Sequence, residues 1–504
     1  MSSEADPMAA LSEIKRLVSG RLDIESSSPL YRQLYERLRR AILTGNLGPG
    51  SKLPSTRGMA IELAIARNTV MAAYEQLLAE GYLEGEPGSG TYVSKALPEH
   101  LLNAALPARL VAAAPGRSPK LSRRGAALAA IRHPFNPEPS TARAFRLGSP
   151  ALDAFPFELW ARLTARHWRS KPGHLWGHGD PAGHRPLREA IAAYLATSRG
   201  VRCNASQVII VSGSQQGLDL AARVLLDPGD SVWIEDPGYR GARGAFLAAG
   251  VRLIPVPVDI EGMNFSSVAD KGKRVRLACI TPAHQYPLGI TMSMARRLAL
   301  LEWANRANAW ILEDDYNSEY RYAGRPLAAL QGIDSQERVI YLGTFSKVFF
   351  PSLRLGYLVV PRSLIDPFVR ARALCDGHPP TVTQAVLAEF LTEGHFARHL
   401  RRMRNLYAER QETFVRAACR DLKGLLEVPS CDGGMHLIGW LEQGIDDRAV
   451  ARRVKVGGIV TMPLSSLASR PLTRGGLLLG YTAIDARAIR EGVRRLAEIL
   501  RKSR

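Results

Sequence analysis

Lys347 ends the stretch VIYLGTFSK, in which an apolar run leads to Thr344 and Ser346, and Arg354 follows seven residues on. A lysine amine withdrawn from water has a lowered pKa and can condense with an aldehyde. Hydroxyls and a guanidinium close to it supply donors and positive charge for an anion. Carbonyl capture beside an anion-holding loop needs scaffolding that brings distant segments to one place. From about residue 146 onward, short Val/Ile-rich runs alternate with helical segments, which predicts a parallel α/β sheet. VIIV is followed by SGSQQG, SVWIE by DPGY, LACI by TPAHQYPLG, AWILE by DDYNSEYRY and VIYLG by TFSK. Polar groups therefore collect at the carboxyl ends of the strands, where open α/β sheets bind ligands.

Each strand end has a task if the ligand is pyridoxal 5′-phosphate. Lys347 is the amine. The turn at Gly213 opens a helix whose free backbone N–H groups, with Ser214 and Gln215, can hold a phosphate. Thr344, Ser346 and Arg354 add donors and charge from the lysine loop. An acid after AWILE can pair with the pyridine nitrogen and keep it protonated; Asp314 is the choice, with its neighbour Asp315 the alternative. Tyr316 can donate to the ring oxygen, and Tyr239 can stack on the ring face.

These spacings resemble the fold-type I aminotransferases over some 350 residues. The resemblance implies that the segment containing HGDPAG crosses to a partner subunit, with His178 standing where the family commonly supplies a tyrosine to the partner's phosphate. A second departure lies in TRGGLLLGYTAI. Aminotransferases of this kind hold the substrate carboxylate with an arginine here, yet the aligned position is Leu478, and Arg474 is only close in sequence. A bidentate arginine is a strong orienting contact, so its absence argues against ordinary amino-acid transamination.

The first hundred residues have a different character. Leu34, Leu38 and Ile42 recur at helical spacing before the stop GNLGPG. A second helix fits STRGMAIELA, and a third fits NTVMAAYEQLLAEGY. Two short helices joined by a tight turn form a helix-turn-helix, and YLEGEPGSGTYVS reads as a hairpin or wing. The stretch LPSTRGMAIELAIARNTVMAAYEQLLAEGYLEGEPGSGTYV resembles the winged helix of the GntR family of bacterial regulators. That likeness implies DNA contacts from Arg57, Arg67, Asn68 and Thr69, with Gly88 and Gly90 letting the wing approach the minor groove. Ala66 stands where the family often has a hydroxyl residue.

The domain boundaries follow: a winged helix-turn-helix at 28–95, a linker at 96–142 and an aminotransferase-like α/β domain at 143–504. The linker is rich in Ala, Pro and Arg without sustained periodicity. The chain of 504 residues carries a formal charge of +20, which favours a polyanionic partner. Residues 1–95 balance 11 basic against 11 acidic side chains, so the surplus lies downstream. Within 30–70, however, seven basic residues face only Glu36 and Glu62. The five scattered cysteines lack metal-ligand spacing. No apolar run has the length of a membrane span, and the N-terminus has no signal-peptide pattern, so the cytoplasm is the expected location.

A GntR winged helix, a linker and an aminotransferase-like domain in one chain resemble the MocR subfamily. The resemblance implies a homodimer on double-stranded DNA with paired half-sites. The large domain then senses pyridoxal phosphate or its product with a small-molecule amine, and a weak transaminase half-reaction is the most that chemistry retains. A working aminotransferase with a DNA-binding appendage is the second reading, and a large domain that only dimerises is the third.

Overall fold

In a computed structural model the chain is described over residues 22, 28–86, 88–97, 120–130, 144–170, 173–268, 274–322 and 327–502. The N-terminal stretch and most of the expected linker lie outside the described residues. The chain divides into two compact units, Met1–Lys120 and Leu121–Arg504.

The first unit contains helices α1 (Leu30–Leu43), α2 (Thr56–Leu63) and α3 (Arg67–Ala79), with strands β1 (Lys52–Leu53), β2 (Leu83–Glu86) and β3 (Gly90–Val93). Leu34, Leu38 and Ile42 on α1 and Val70, Tyr74 and Leu77 on α3 are buried in one core. The 3.6-residue periodicity of the sequence is thus the inward face of each helix. Ser55 caps α2 by accepting from Gly58 N at 3.1 Å. Ala64 ends that helix in the left-handed region, φ 52°, turning the chain toward α3. β2 and β3 pair antiparallel with Glu86 opposite Gly90, and β1 adds to β3, forming the wing.

The second unit is built on an eight-stranded sheet in the order β4-β11-β10-β9-β8-β5-β6-β7. The strands are β4 (Val208–Val211), β5 (Ser231–Asp236), β6 (Arg252–Asp259), β7 (Gly262–Met263), β8 (Val275–Ile280), β9 (Trp310–Asp315), β10 (Val339–Thr344) and β11 (Gly356–Val359). β4, β5, β10 and β11 are buried throughout, as strands covered on both faces must be, which explains their continuous apolar runs.

The sheet departs from an all-parallel expectation at β7, which runs antiparallel to β6, and at β11, which runs antiparallel to both β10 and β4. The cause at β11 is the short link from Thr344 to Gly356, the loop that carries Lys347. A parallel crossover needs a dozen or more residues, whereas this link only turns the chain back. A separate three-stranded sheet, β12 (His436–Trp440), β14 (Gly476–Gly480) and β13 (Met462–Pro463), lies near the C-terminus. Inside the expected linker, Arg123–Ala130 is a helix. Its alanines favour helix over coil, and it packs against the helix Arg240–Ala248.

Candidate functional site

Parallel β8, β9 and β10 lie side by side, so their carboxyl ends deliver Thr281, Asp314 and Thr344 to one region. A cavity of about 370 Å³ opens there. Of the residues expected to hold the cofactor, Lys347, Asp314, Tyr316, Tyr239, Ser214, Gln215, Thr344, Ser346 and Arg354 all line it.

Lys347 Nζ donates to Gly148 O at 3.1 Å. Burial lowers the amine's pKa, and the nearby Asp314 carboxylate opposes that shift. A larger fraction of the amine is therefore neutral and nucleophilic than in water. At the other end, Gly213 caps the helix that begins at Ser214, with φ 87°. A side chain on Gly213 would come within 3.0 Å of the Arg354 guanidinium, so glycine is what lets the arginine lie against the helix start. Arg354 Nη2 donates to Ser212 O at 2.6 Å, and Ser346 N donates to Thr344 Oγ1 at 3.2 Å. One guanidinium and three hydroxyls thus gather at a helix N-terminus, an arrangement suited to a phosphate.

Strand alternation separates the two neighbouring acids. Asp315 accepts from Arg199 Nε at 2.9 Å and from Tyr341 OH at 2.7 Å in a buried network, and Arg199 with Tyr341 holds it below the usual range against the effect of burial. Asp314 faces the cavity. Burial first, then Asp315 and Glu235, push its carboxyl up to about 7, while Lys347 pulls it down. Its Oδ1 is buried without a hydrogen-bond partner among the described residues, as is the Tyr316 hydroxyl. Buried orphans of this kind are costly unless a ligand satisfies them. A protonated ring nitrogen at Asp314 and a ring oxygen at Tyr316 would do so, and the residues fit pyridoxal phosphate on that test. Gln215 is different. Its Nε2 donates to Gly241 O at 3.0 Å, which leaves one amide proton for another acceptor, and its Oε1 has no hydrogen-bond partner among the described residues.

His178 does not line this cavity. It lines another with Trp168, Trp176 and His378, its ring 6.1 Å from that of His378. Leu478 is fully buried among Leu147, Tyr286 and Met462. Arg474 is committed elsewhere: Nε donates to Leu441 O at 2.6 Å, Nη2 pairs with Glu427 at 2.8 Å, and the guanidinium lies over Trp440.

Several wall residues carried no sequence signal of their own. His436 and Met462 come from the small C-terminal sheet. Tyr286 sets its ring edge-on to Tyr239 and Tyr316, at 5.9 and 5.8 Å. Glu235, buried beside the wall, accepts from Thr281 Oγ1 at 2.5 Å and from Gln285 Nε2 at 3.2 Å. The glutamate at the end of SVWIE and Tyr286 within TPAHQYPLG are the visible hints.

In the first unit, Arg57, Arg67 and Asn68 are exposed and Thr69 is half-buried at the start of α3. Arg67 Nε reaches back to Thr56 Oγ1 at 3.3 Å. Ala66 gives α3 no side-chain cap, which leaves the first N–H groups of that helix open to an acceptor. Gly88 and Gly90 are exposed in the wing with φ of 79° and 133°.

Comparison with known proteins matches both units. The family described as bacterial regulatory proteins, gntR family, matches residues 30–93, and aminotransferase class I and II matches residues 145–466. The chain is 45% identical over 475 residues to the probable rhizopine catabolism regulatory protein MocR of Rhizobium meliloti, covering 94% of each. It is 30% identical to the pyridoxine biosynthesis transcriptional regulator PdxR of Corynebacterium glutamicum, over 91% of this chain and 93% of that one. Among solved structures it resembles the α-aminoadipate aminotransferase LysN of Thermus thermophilus, complexed with N-(5′-phosphopyridoxyl)-L-leucine. The TM-score is 0.66 at 30% identity, over 71% of this chain and 92% of that one.

Proposed function

The chain belongs to the MocR subfamily of GntR-type transcription regulators, and from that premise we propose that its large domain binds pyridoxal 5′-phosphate at Lys347 and reads the cofactor's state to control DNA binding. The observation that carries this reading is the pair of buried orphans, Asp314 Oδ1 and Tyr316 OH, in the cavity that also holds Lys347. Ser214, Thr344, Ser346 and Arg354 would hold the phosphate, Asp314 the ring nitrogen and Tyr316 the ring oxygen. Bound there, the cofactor supplies an aldehyde that captures amines and a ring that withdraws electrons.

The effector is the cofactor itself or a small amine that joins it. The first unit acts as a double-stranded DNA reader, with Arg57, Arg67, Asn68 and Thr69 at base edges or phosphates and Gly88 and Gly90 in the minor groove. A homodimer places two winged helices on paired half-sites. His178, away from its own chain's Lys347 cavity, is then free to serve the partner's phosphate. Work on DNA places the protein in the cytoplasm, and no described helix is long and apolar enough to cross a membrane.

A working aminotransferase is the second reading, and the polar groups gathered around Lys347 are what favours it. Against it stand Leu478 and the committed Arg474. Orienting a substrate can lower a barrier by roughly 7–11 kcal/mol, and no arginine from the C-terminal stretch is available for that task. The test adds candidate amines and amino acids with an α-keto acid acceptor, and follows the visible spectrum, product formation and operator binding together. Spectral change and altered DNA affinity without sustained product are expected. Steady turnover would put the enzyme first.

A further inference from the structure

Beside the Lys347 cavity lies a second one, of about 400 Å³, walled by the loops after β8 and β9 and by the residues leading to β12. Asn317 and Arg321 line it from the loop after β9, His284 from the loop after β8 and Asp432 from the third segment. Asn317 is 2% exposed, and its Nδ2, whose polar neighbour is the Tyr316 hydroxyl, closes no hydrogen bond of good geometry among the described residues. Arg321 Nε is buried and equally without one. The guanidinium meets a carboxylate only through Nη2, 3.4 Å from Asp432, a long contact to an acid that is 71% exposed.

Both orphaned atoms are donors, so the missing partner is an acceptor. Leaving such donors buried and unmet is costly. The Nε edge of a guanidinium presents a planar fork that matches a carboxylate; here its second prong, Nη2, already reaches Asp432, which leaves Nε as the donor for a ligand. The charge balance limits the ligand further. Arg199, on the same wall, is committed to Asp315 at 2.7 Å. Burial, His436 and Arg321 push His284 down to about 3, so its ring is neutral. Arg321 is paired only at Nη2, with the mostly exposed Asp432, so its Nε is the charged donor left among these groups, which suits a monoanion better than a dianion.

We propose that this cavity is a second ligand site, taking a small molecule whose carboxylate is gripped by Arg321 Nε and Asn317 Nδ2. The His284 ring lies 6.3 Å from that of Tyr316 and 6.4 Å from that of His436, and both of those residues line the Lys347 cavity. An occupant of the second site therefore touches the back of the first site's wall. The proposal does not depend on cofactor binding.

The test uses the full-length protein, with thermal shift and calorimetry against acetate and butyrate, and inorganic phosphate as the competing oxyanion. Saturable binding of the monocarboxylates is expected in the parent and in Lys347→Ala alike. Arg321→Ala weakens it about tenfold or more, as loss of a hydrogen bond to a charged group does. Asn317→Asp, nearly isosteric, sets a negative charge against the ligand and keeps the test open where Arg321→Ala does not fold. Absence of saturable binding, a preference for phosphate, loss of binding in Lys347→Ala, or full binding in Asn317→Asp would each overturn the proposal.

Discussion

The two units carry their function in opposite ways. In the winged helix the residues assigned to DNA, Arg57, Arg67 and Asn68, are exposed on helices whose other faces form the core. In the large domain most residues assigned to the cofactor are half-buried or buried, with Arg354 and His178 the exposed ones, and Asp314 Oδ1 and Tyr316 OH are left without partners there among the described residues. An exposed arginine costs the fold little, because water serves it until a phosphate or base does. A buried, unsatisfied carboxyl or hydroxyl costs the fold until a ligand arrives. Function in the first unit is thus nearly independent of stability, and in the second it opposes stability. Substitutions that move one property and leave the other alone can break this contrast.

The largest effect is expected at Lys347. The protein as purified, or after addition of pyridoxal phosphate, should be yellow, and Lys347→Ala should lose that colour entirely. Borohydride reduction of the parent should fix the cofactor on a peptide containing Lys347, detectable by mass spectrometry. A Lys347→Ala protein with the parent's spectrum would remove the premise that this amine is the anchor.

Arg67→Ala comes next. Loss of a bidentate base contact costs about 1–3 kcal/mol, roughly five- to 150-fold in operator affinity. The substitution is on the surface, so unfolding should stay within about 0.5 kcal/mol of the parent and the cofactor spectrum should not change. Electrophoretic mobility shift and urea melts of the same preparation measure the two. If Arg67→Ala and Arg57→Ala both bind the operator as the parent does, α3 is not the reading helix.

A smaller effect tests His178. It lies with Trp168, Trp176 and His378 rather than with Lys347, so any service to a phosphate must be to a second copy. His178→Ala should weaken cofactor binding about tenfold, the low end of the range for a hydrogen bond to a charged group. Sedimentation should find a dimer at micromolar concentration. A monomer that binds the cofactor fully would refute the shared site.

The contrast between the units also governs what the sequence made legible. The reading helix and wing are local, with periodicity, turns and arginines within about 65 residues, and the strands of the large sheet announce themselves as uninterrupted apolar runs. Lys347 and its neighbours stand at the ends of those runs and were legible for that reason. The choice between Asp314 and Asp315 was not. It is made by Arg199, which is 116 residues away in the chain and holds Asp315 on the opposite face. His436 and Met462 reach the cavity from the small sheet through tertiary packing alone. The antiparallel β11 hides in the shortness of the lysine loop, and Arg474 is turned aside by Glu427 and Trp440, partners that no local pattern exposes.

Asp314 sharpens the contrast because one substitution should move stability and binding in opposite directions. Its carboxyl is held at about 7 against an ordinary value of 3.8. A folded-state pKa above the unfolded one means that the folded chain binds more protons between about pH 4 and 7, so stability falls as pH rises through that window. Above it the buried charge is present and its full cost is felt. Asparagine keeps the shape without the charge. Cofactor-free Asp314→Asn should therefore gain on the order of 1 kcal/mol at pH 8 relative to the parent and less at pH 5, nearer the foot of that window. Glu235 and Glu313, both pushed up to about 7 by burial, remain in the variant, so its stability curve flattens without becoming level. A neutral amide cannot hold a protonated ring nitrogen by charge, so cofactor affinity should fall in the same protein. Urea melts at the two pH values and a cofactor titration read both quantities. A variant destabilised equally at pH 5 and pH 8 would mean that the Asp314 carboxylate is already satisfied within the fold, and the large domain would then resemble the winged helix in keeping function and stability apart.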